Sequence, residues 1–292
     1  MMYKQIAANK RNTILIMLGF VVLIGLIGGA FALWFKNYYT LIYFLVFGTI
    51  YVVFQYFMSG TFAVAMTGAK EIKKSDNPRL YNAVENLAIT TGLPMPKVYI
   101  IEDSAPNAFA TGRDPEHAIV AATTGLLDIM DNKELNAVMA HEMSHVKNYD
   151  IRVSTIVFGL VCIVGYISDL GIRMLFFGGR DDEDRSPVGL IIMIATSILA
   201  PLAASLAQMA ISREREYLAD ASAVNITRYP EGMVSALKKL DTHTQPMKHQ
   251  NAATEALYIN NPLKKGTISN LFSTHPPIEK RIERIENGKY TF

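Results

Sequence analysis

A single cysteine, Cys162, occurs in the whole sequence. No disulfide can form within one chain, so a disulfide-stapled secreted scaffold and a four-cysteine metal site are both excluded. Charge is scarce as well. Asp, Glu, Lys and Arg make up 18% of the residues, whereas soluble domains average about a quarter. What charge there is nearly cancels, at a formal +2, and no basic stripe with interleaved aromatics offers itself to nucleic acid. Low-complexity tracts and internal repeats are missing too, which excludes a solenoid.

Apolar residues stand in their place, at 50% of the chain with a mean hydropathy of +0.19. Four stretches carry the excess. Thr13–Phe35 and Tyr38–Met58 run without a charge, and each is long enough to cross ~30 Å of hydrocarbon as a helix. Val153–Ser168 is apolar until Asp169 and Arg173 interrupt it, and Val188–Ser212 is again uncharged. About four membrane-embedded helices are expected. The second pair either crosses the bilayer or lies against it as a hairpin, because Asp169 is costly inside a span. Ala30-Phe31-Ala32 looks like a signal-peptide cleavage site, but the apolar core is too long and a second span follows directly, so the first pair reads as an uncleaved hairpin. Lys4, Lys10 and Arg11 precede it and Lys70, Lys73 and Lys74 follow it, against Lys36 alone in the turn. Under the positive-inside rule the N-terminus and everything beyond Met58 face the cytoplasm.

The chain therefore divides into an N-terminal transmembrane hairpin (1–58), a first cytoplasmic part (59–152), a second hydrophobic hairpin (153–212) and a second cytoplasmic part (213–292). In the first part, Leu80, Val84, Leu87 and Ala88 mark an amphipathic helix between Ser75 and Gly92. Lys97–Ile101 reads as a strand, and Asn107–Thr111 and Ala118–Ala121 as two more joined by a turn at Gly112-Arg113-Asp114-Pro115. Such a small sheet offers an edge to which an extended peptide can add.

Asp131 and Glu134 then form an acidic capping box that starts a helix. That helix carries His141-Glu142-Met143-Ser144-His145. His141 and His145 lie one turn apart, so both imidazoles can reach one ion at about 2.0 Å. Glu142 is placed to take a proton from a water on that ion. A third ligand is needed. Glu216, one turn before Asp220, would complete a site of two His and one Glu with the fourth position open to water, and Asp220 would then accept a hydrogen bond from a ligand imidazole. Spacing alone leaves Glu214 nearly as good a choice. A helix is expected from Pro230 to Leu240, and another from Ile278 to Asn287 with Ile278, Ile282 and Ile285 inward. His275, held before Pro276-Pro277, suits a donor to an oxyanion and equally a structural cap.

Together the N-terminal spans, Pro106-Asn107-Ala108-Phe109-Ala110-Thr111-Gly112, the His141–His145 motif, Glu216–Asp220 and Ser273-Thr274-His275-Pro276-Pro277 resemble the HtpX-type membrane-integral zinc metalloproteases, relatives of the CaaX prenyl protease. The resemblance implies an α+β fold in which membrane helices carry a gluzincin-like cytoplasmic domain. It implies one zinc ion per chain held by His141, His145 and Glu216, with Glu142 as base, Asp220 orienting a ligand and His275 stabilising the oxyanion. It also implies that Asn107, Ala108, Phe109 and Ala110 form the strand that pairs with substrate. The expected role is quality control in the cell (inner or plasma) membrane. Substrates would be damaged membrane proteins or unfolded polypeptides, cut on the cytoplasmic side, and the oligomeric state is not legible. The rivals are a prenyl-protein protease and a non-catalytic membrane scaffold with a structural zinc. An intramembrane protease fits poorly, since Asp131 to Glu134 and Lys147 to Asp150 make the metal helix too polar for a bilayer centre.

Overall fold

The computed structural model describes residues 2–34, 36–160, 162–163, 213–243, 245–248, 257–259 and 276–288. The expected second hydrophobic hairpin, from residue 164 onward, and His275 lie outside the described residues.

Two long helices, α1 (Met2–Trp34) and α2 (Tyr39–Thr67), form the N-terminal hairpin. Helices satisfy every backbone group internally, which hydrocarbon demands. Gln5–Leu33 and Tyr39–Met58 are long and apolar enough to cross a membrane. Their outer faces carry large apolar side chains in the open, such as Leu26 and Phe47, each 68% exposed. In a soluble domain such a surface is a liability; against lipid it is the favourable arrangement. Helix α2 does not stop at Met58. It runs on to Thr67 and ends at Gly68 in the left-handed conformation (φ 68°), which turns the chain into the sheet.

The sheet has the order β1-β2-β4-β3, with β1 at Lys70–Glu71, β2 at Lys97–Ile101, β3 at Ala108–Thr111 and β4 at Ile119–Thr123. β2 and β4 are parallel and the outer pairs antiparallel, with Ala108 opposite Ala122 and Lys70 opposite Ile100. The expected turn between β3 and β4 opens at Gly112 (φ 134°), where a Cβ would lie 2.4 Å from the His117 carbonyl oxygen. The two-residue β1 and the short helix α4 (Thr124–Ile129) are additions to the sequence-based reading.

Both faces of the sheet are covered, so β3 and β4 are buried throughout instead of alternating. On one face Val98, Val120, Ala108 and Ala122 pack with Leu80, Val84 and Leu87 of α3 (Pro78–Thr91) and Leu135, Val138 and Met139 of α5 (Asn132–Lys147). On the other, Tyr99, Ile101, Phe109 and Ala121 meet Ala63 of α2 and Phe158 of a helix over residues 150–160. That last helix also packs Val153, Ile156, Val157 and Leu160 against Ile16 and Phe20 of α1 and Val52 of α2. It thus joins the membrane hairpin to the sheet.

The expected capping box is present: Asp131 accepts from the backbone of Lys133 and Glu134 at 2.8 Å each, and Glu134 accepts from the Asp131 N–H at 2.7 Å. Glu134 also accepts from Ser235 and Lys239 of α7 (Pro230–Thr242), at 2.6 and 2.7 Å. In α6 (Arg213–Thr227), Ala219 and Ala223 are fully buried and let α5 approach closely. The last helix, α8 (Ile278–Glu286), departs from expectation. Its most buried residue is Arg281, at 1% exposure, while Ile278 and Ile282 are only partly buried. A charge takes the centre of the inward face because a buried carboxylate waits for it there.

Candidate metal centre

Helices α5 and α6 bring His141, His145 and Glu216 together. The two Nε2 atoms are 3.2 Å apart, and each lies 3.6 Å from a carboxylate oxygen of Glu216. Two ligand atoms at ~2.05 Å from one ion and at the tetrahedral angle are separated by about 3.3 Å. The triangle therefore has the size that a single small divalent cation requires, and the donor set of two imidazoles and a carboxylate suits one. Glu214, which spacing alone could not set aside, is exposed on the far side of α6, whereas Glu216 is buried.

Each of the two imidazoles is held from behind. His141 Nδ1 lies 2.9 Å from Asp220 Oδ1. His145 Nδ1 lies 3.0 Å from Asp150 Oδ2. An Nδ1–H engaged by a carboxylate leaves the Nε2 lone pair facing the ion. Behind Asp220 stands Arg281, which donates to its two oxygens at 2.8 Å from Nε and 2.7 Å from Nη2. The same guanidinium reaches within 4.0 Å of Glu216 Oε2.

Sequence reasoning misses Asp150 and Arg281. Asp150 follows the metal helix across a turn, where no helical spacing links it to His145. Arg281 did leave a signal, as a lone charge within the apolar stripe of α8.

Burial and charge work against each other throughout the site. Burial pushes the His141 imidazole down, but Asp220 and Glu216 outweigh it and raise the ring to about 9. Carboxylates that favour a proton there equally favour a divalent cation in its place. Burial pushes the Asp220 carboxyl up, and the Arg281 guanidinium overrides this, pulling it down to about 2. Glu142, 2% exposed and one residue from a ligand, is raised above the ordinary glutamate range, chiefly by burial. An increased proton affinity suits a carboxyl that is to take and return a proton.

The residues expected to meet substrate lie beside this centre, since β3 packs on α5. Asn107, Ala108, Phe109 and Ala110 are all buried. The outer edge of β3 is paired by the chain itself: Ile259 donates its N–H to the Ala108 carbonyl at 3.0 Å, and Tyr258 bridges Phe109 in the antiparallel sense.

The profile of peptidase family M48 matches residues 74–289. Curated relatives are similar along nearly the whole chain. A "Protease HtpX homolog" of Tropheryma whipplei (strain Twist) is 54% identical over 289 residues, covering 98% of each chain. One of Ligilactobacillus salivarius is 47% identical over 295 residues, covering 98% of this chain and all of that one. In three dimensions the crystal structure of S. mikatae Ste24p aligns with a TM-score of 0.52 at 17% identity, covering 97% of this chain and 67% of that one, a likeness of fold alone. A metal-sized triangle of His141, His145 and Glu216 with Glu142 beside it is what a peptidase of this kind needs, and the chain belongs to peptidase family M48, among its HtpX-type membrane metalloproteases.

Proposed function

We propose that this chain is a zinc endopeptidase with one ion per chain, cutting damaged or misfolded membrane proteins and unfolded polypeptides on the cytoplasmic side of the cell membrane. The observation that carries the reading is the convergence of His141, His145 and Glu216 around one point with Glu142 buried on the same helix. Two imidazoles and a carboxylate favour zinc among the divalent metals. When bound, zinc makes a water nucleophilic near neutral pH and polarises a peptide carbonyl.

The chain's own groups do the rest. Asp220 and Asp150 hold the two ligand rings in one tautomer and orientation. Glu142 removes the proton of the attacking water and delivers it to the leaving amine. His275 is the proposed donor to the developing oxyanion. In support, Pro276 and Pro277 lead from it straight into α8, whose Arg281 is anchored at Asp220. Substrate pairs with Asn107–Ala110 as an added strand, in the position that Tyr258 and Ile259 take here. It must replace them or extend beyond them.

The side of action follows from the hairpin. The start of α1 and the end of α2 both adjoin the protease part, and Lys10, Arg11, Lys70, Lys73 and Lys74 gather there. The positive-inside rule supports a cytoplasmic active site. A closed structural zinc site is a weaker reading: the described cluster offers three ligands, where structural sites normally have four.

The deciding test is cleavage of an unfolded protein by the detergent-purified chain with zinc, with chelator and as Glu142→Gln, with bound metal assayed in parallel. The variant should retain zinc and lose activity by about 10²–10⁴-fold. Zinc-bound wild-type chain that leaves several unfolded substrates intact would turn the reading towards the structural site.

A further inference from the structure

We propose that Asn9, on the first membrane helix, is a positioning residue for the metal centre: it holds Asp150 in the orientation that fixes the His145 ring. The proposal rests on His141, His145 and Glu216 binding a metal ion, and goes beyond it by giving α1 a part in that binding.

Asn9 is 4% exposed and Asp150 is 3% exposed. The Asn9 side-chain amide donates twice, to Asp150 Oδ1 at 2.7 Å and to the Asn148 carbonyl at 2.8 Å. The other oxygen of Asp150 faces His145 Nδ1 at 3.0 Å. One carboxylate thus joins the membrane helix to a metal ligand, with a separate oxygen for each. A short amide suits this place, since its one NH2 group supplies two donors to two acceptors without adding a charge. An aspartate there would set two carboxylates against each other.

The neighbourhood shows why Asp150 needs holding. Arg215 Nη1 stands 3.8 Å from the same Oδ1, and with Asn9 removed it would draw the carboxylate towards itself and away from His145. The backbone leading to Asp150 is also unusual, because Tyr149 sits at φ 60°, a left-handed conformation that a bulky residue rarely adopts. Such a residue persists only where its surroundings determine it. Two of those surroundings come from α1: the Asn9 bond to the Asn148 carbonyl, and Lys10 with its Nζ 4.4 Å from the centre of the Tyr149 ring. Thr13 Oγ1 in turn caps the Asn9 carbonyl at 2.9 Å, and it too is buried.

The experiment uses the full-length chain in detergent and measures zinc affinity by competition with a chromophoric chelator, so it does not depend on activity. Asn9→Ala should weaken zinc binding by about tenfold, the lower end of the usual effect of removing a partner behind a metal ligand. Asp150→Ala should weaken it at least as much, and Asn9→Ala added to Asp150→Ala should change nothing further. Arg11→Ala, two residues along on the exposed side of α1, should leave zinc affinity at the wild-type value. The proposal is overturned if Asn9→Ala binds zinc as wild type does, if the two losses multiply in the double variant, or if Arg11→Ala loses as much as Asn9→Ala. If Asn9→Ala does not purify as a folded chain, Asn9→Ser, which keeps one donor, serves the same comparisons. Wild-type chain that binds no zinc would instead refute the metal reading itself.

Discussion

Arg281→Met tests the arrangement behind His141 most directly. The guanidinium is 1% exposed and gives two hydrogen bonds, of 2.8 and 2.7 Å, to Asp220, itself 2% exposed. Methionine fills much of the same space but leaves a buried carboxylate without its counter-charge. Breaking a buried pair from one side costs about 3–5 kcal/mol. The pH dependence has a definite sign. Asp220 lies at about 2 against an ordinary 3.8, so its charged form contributes stability that is present above pH 3.8 and lost as pH falls through about 2. Without Arg281 the carboxyl rises, the contribution shrinks, and acid unfolding begins at higher pH. A protonated Asp220 also ceases to be a charged acceptor for His141 Nδ1, so zinc affinity should fall about 10–100-fold. The assay is urea unfolding of the metal-free chain in mild detergent, with chelator competition for zinc. The double variant Asp220→Asn/Arg281→Met removes both charges and should be more stable than Arg281→Met alone. A loss within about 1 kcal/mol, the range of an exposed ion pair, would refute the reasoning, as would a double variant no more stable than the single one.

His141, raised from 6.5 to about 9 by Asp220 and Glu216 against burial, stabilises the metal-free chain fully below pH 6.5 and progressively less as pH rises through about 9. Zinc must displace that proton, so calorimetry in buffers of different ionisation heat should find about one proton released per zinc near neutral pH; none released would contradict the raised value. Glu216→Gln should abolish stoichiometric zinc by metal analysis, while Glu214→Gln on the exposed side of α6 leaves it intact. Ile259→Pro removes the N–H that donates to the Ala108 carbonyl at 3.0 Å. A bond worth ~1 kcal/mol corresponds to about fivefold easier displacement, so kcat/KM for an unfolded substrate should rise by up to that factor. An unchanged rate would argue against substrate pairing with β3.

Most of the centre was legible because it sits within single helices. His141, Glu142 and His145 declare themselves by one-turn spacing, as do Glu216 and Asp220, and Asp131 with Glu134 marks where α5 begins. The choice between Glu214 and Glu216 was not legible from spacing. Both lie in the first turns of α6, and which side of that turn is buried depends on where α5 packs. Asp150 and Asn9 were invisible for another reason. Asp150 reaches His145 across a turn that carries no helical spacing, and Asn9 meets Asp150 from far away in sequence, where a polar residue near a span end reads as ordinary flanking polarity. Arg281 looked misplaced in an amphipathic pattern until its partner was located. In the sheet, β2, β3 and β4 follow from β-branched and apolar runs between turn residues, whereas β1 is too short to leave a pattern and α2 simply continues beyond its apolar part.

The groups behind the two ligand histidines come from nearly opposite ends of the chain, Asn9 from its first helix and Arg281 from its last described one. Translation proceeds at ~5–20 residues per second, so on the order of tens of seconds pass between the appearance of these two residues. His141 and His145 appear about halfway through that interval and Glu216 in its last quarter, and until Arg281 follows, Asp220 is without its guanidinium. In a nascent copy the three residues of the metal triangle therefore exist before the guanidinium behind Asp220 does, and that side of the centre is complete only once α8 arrives.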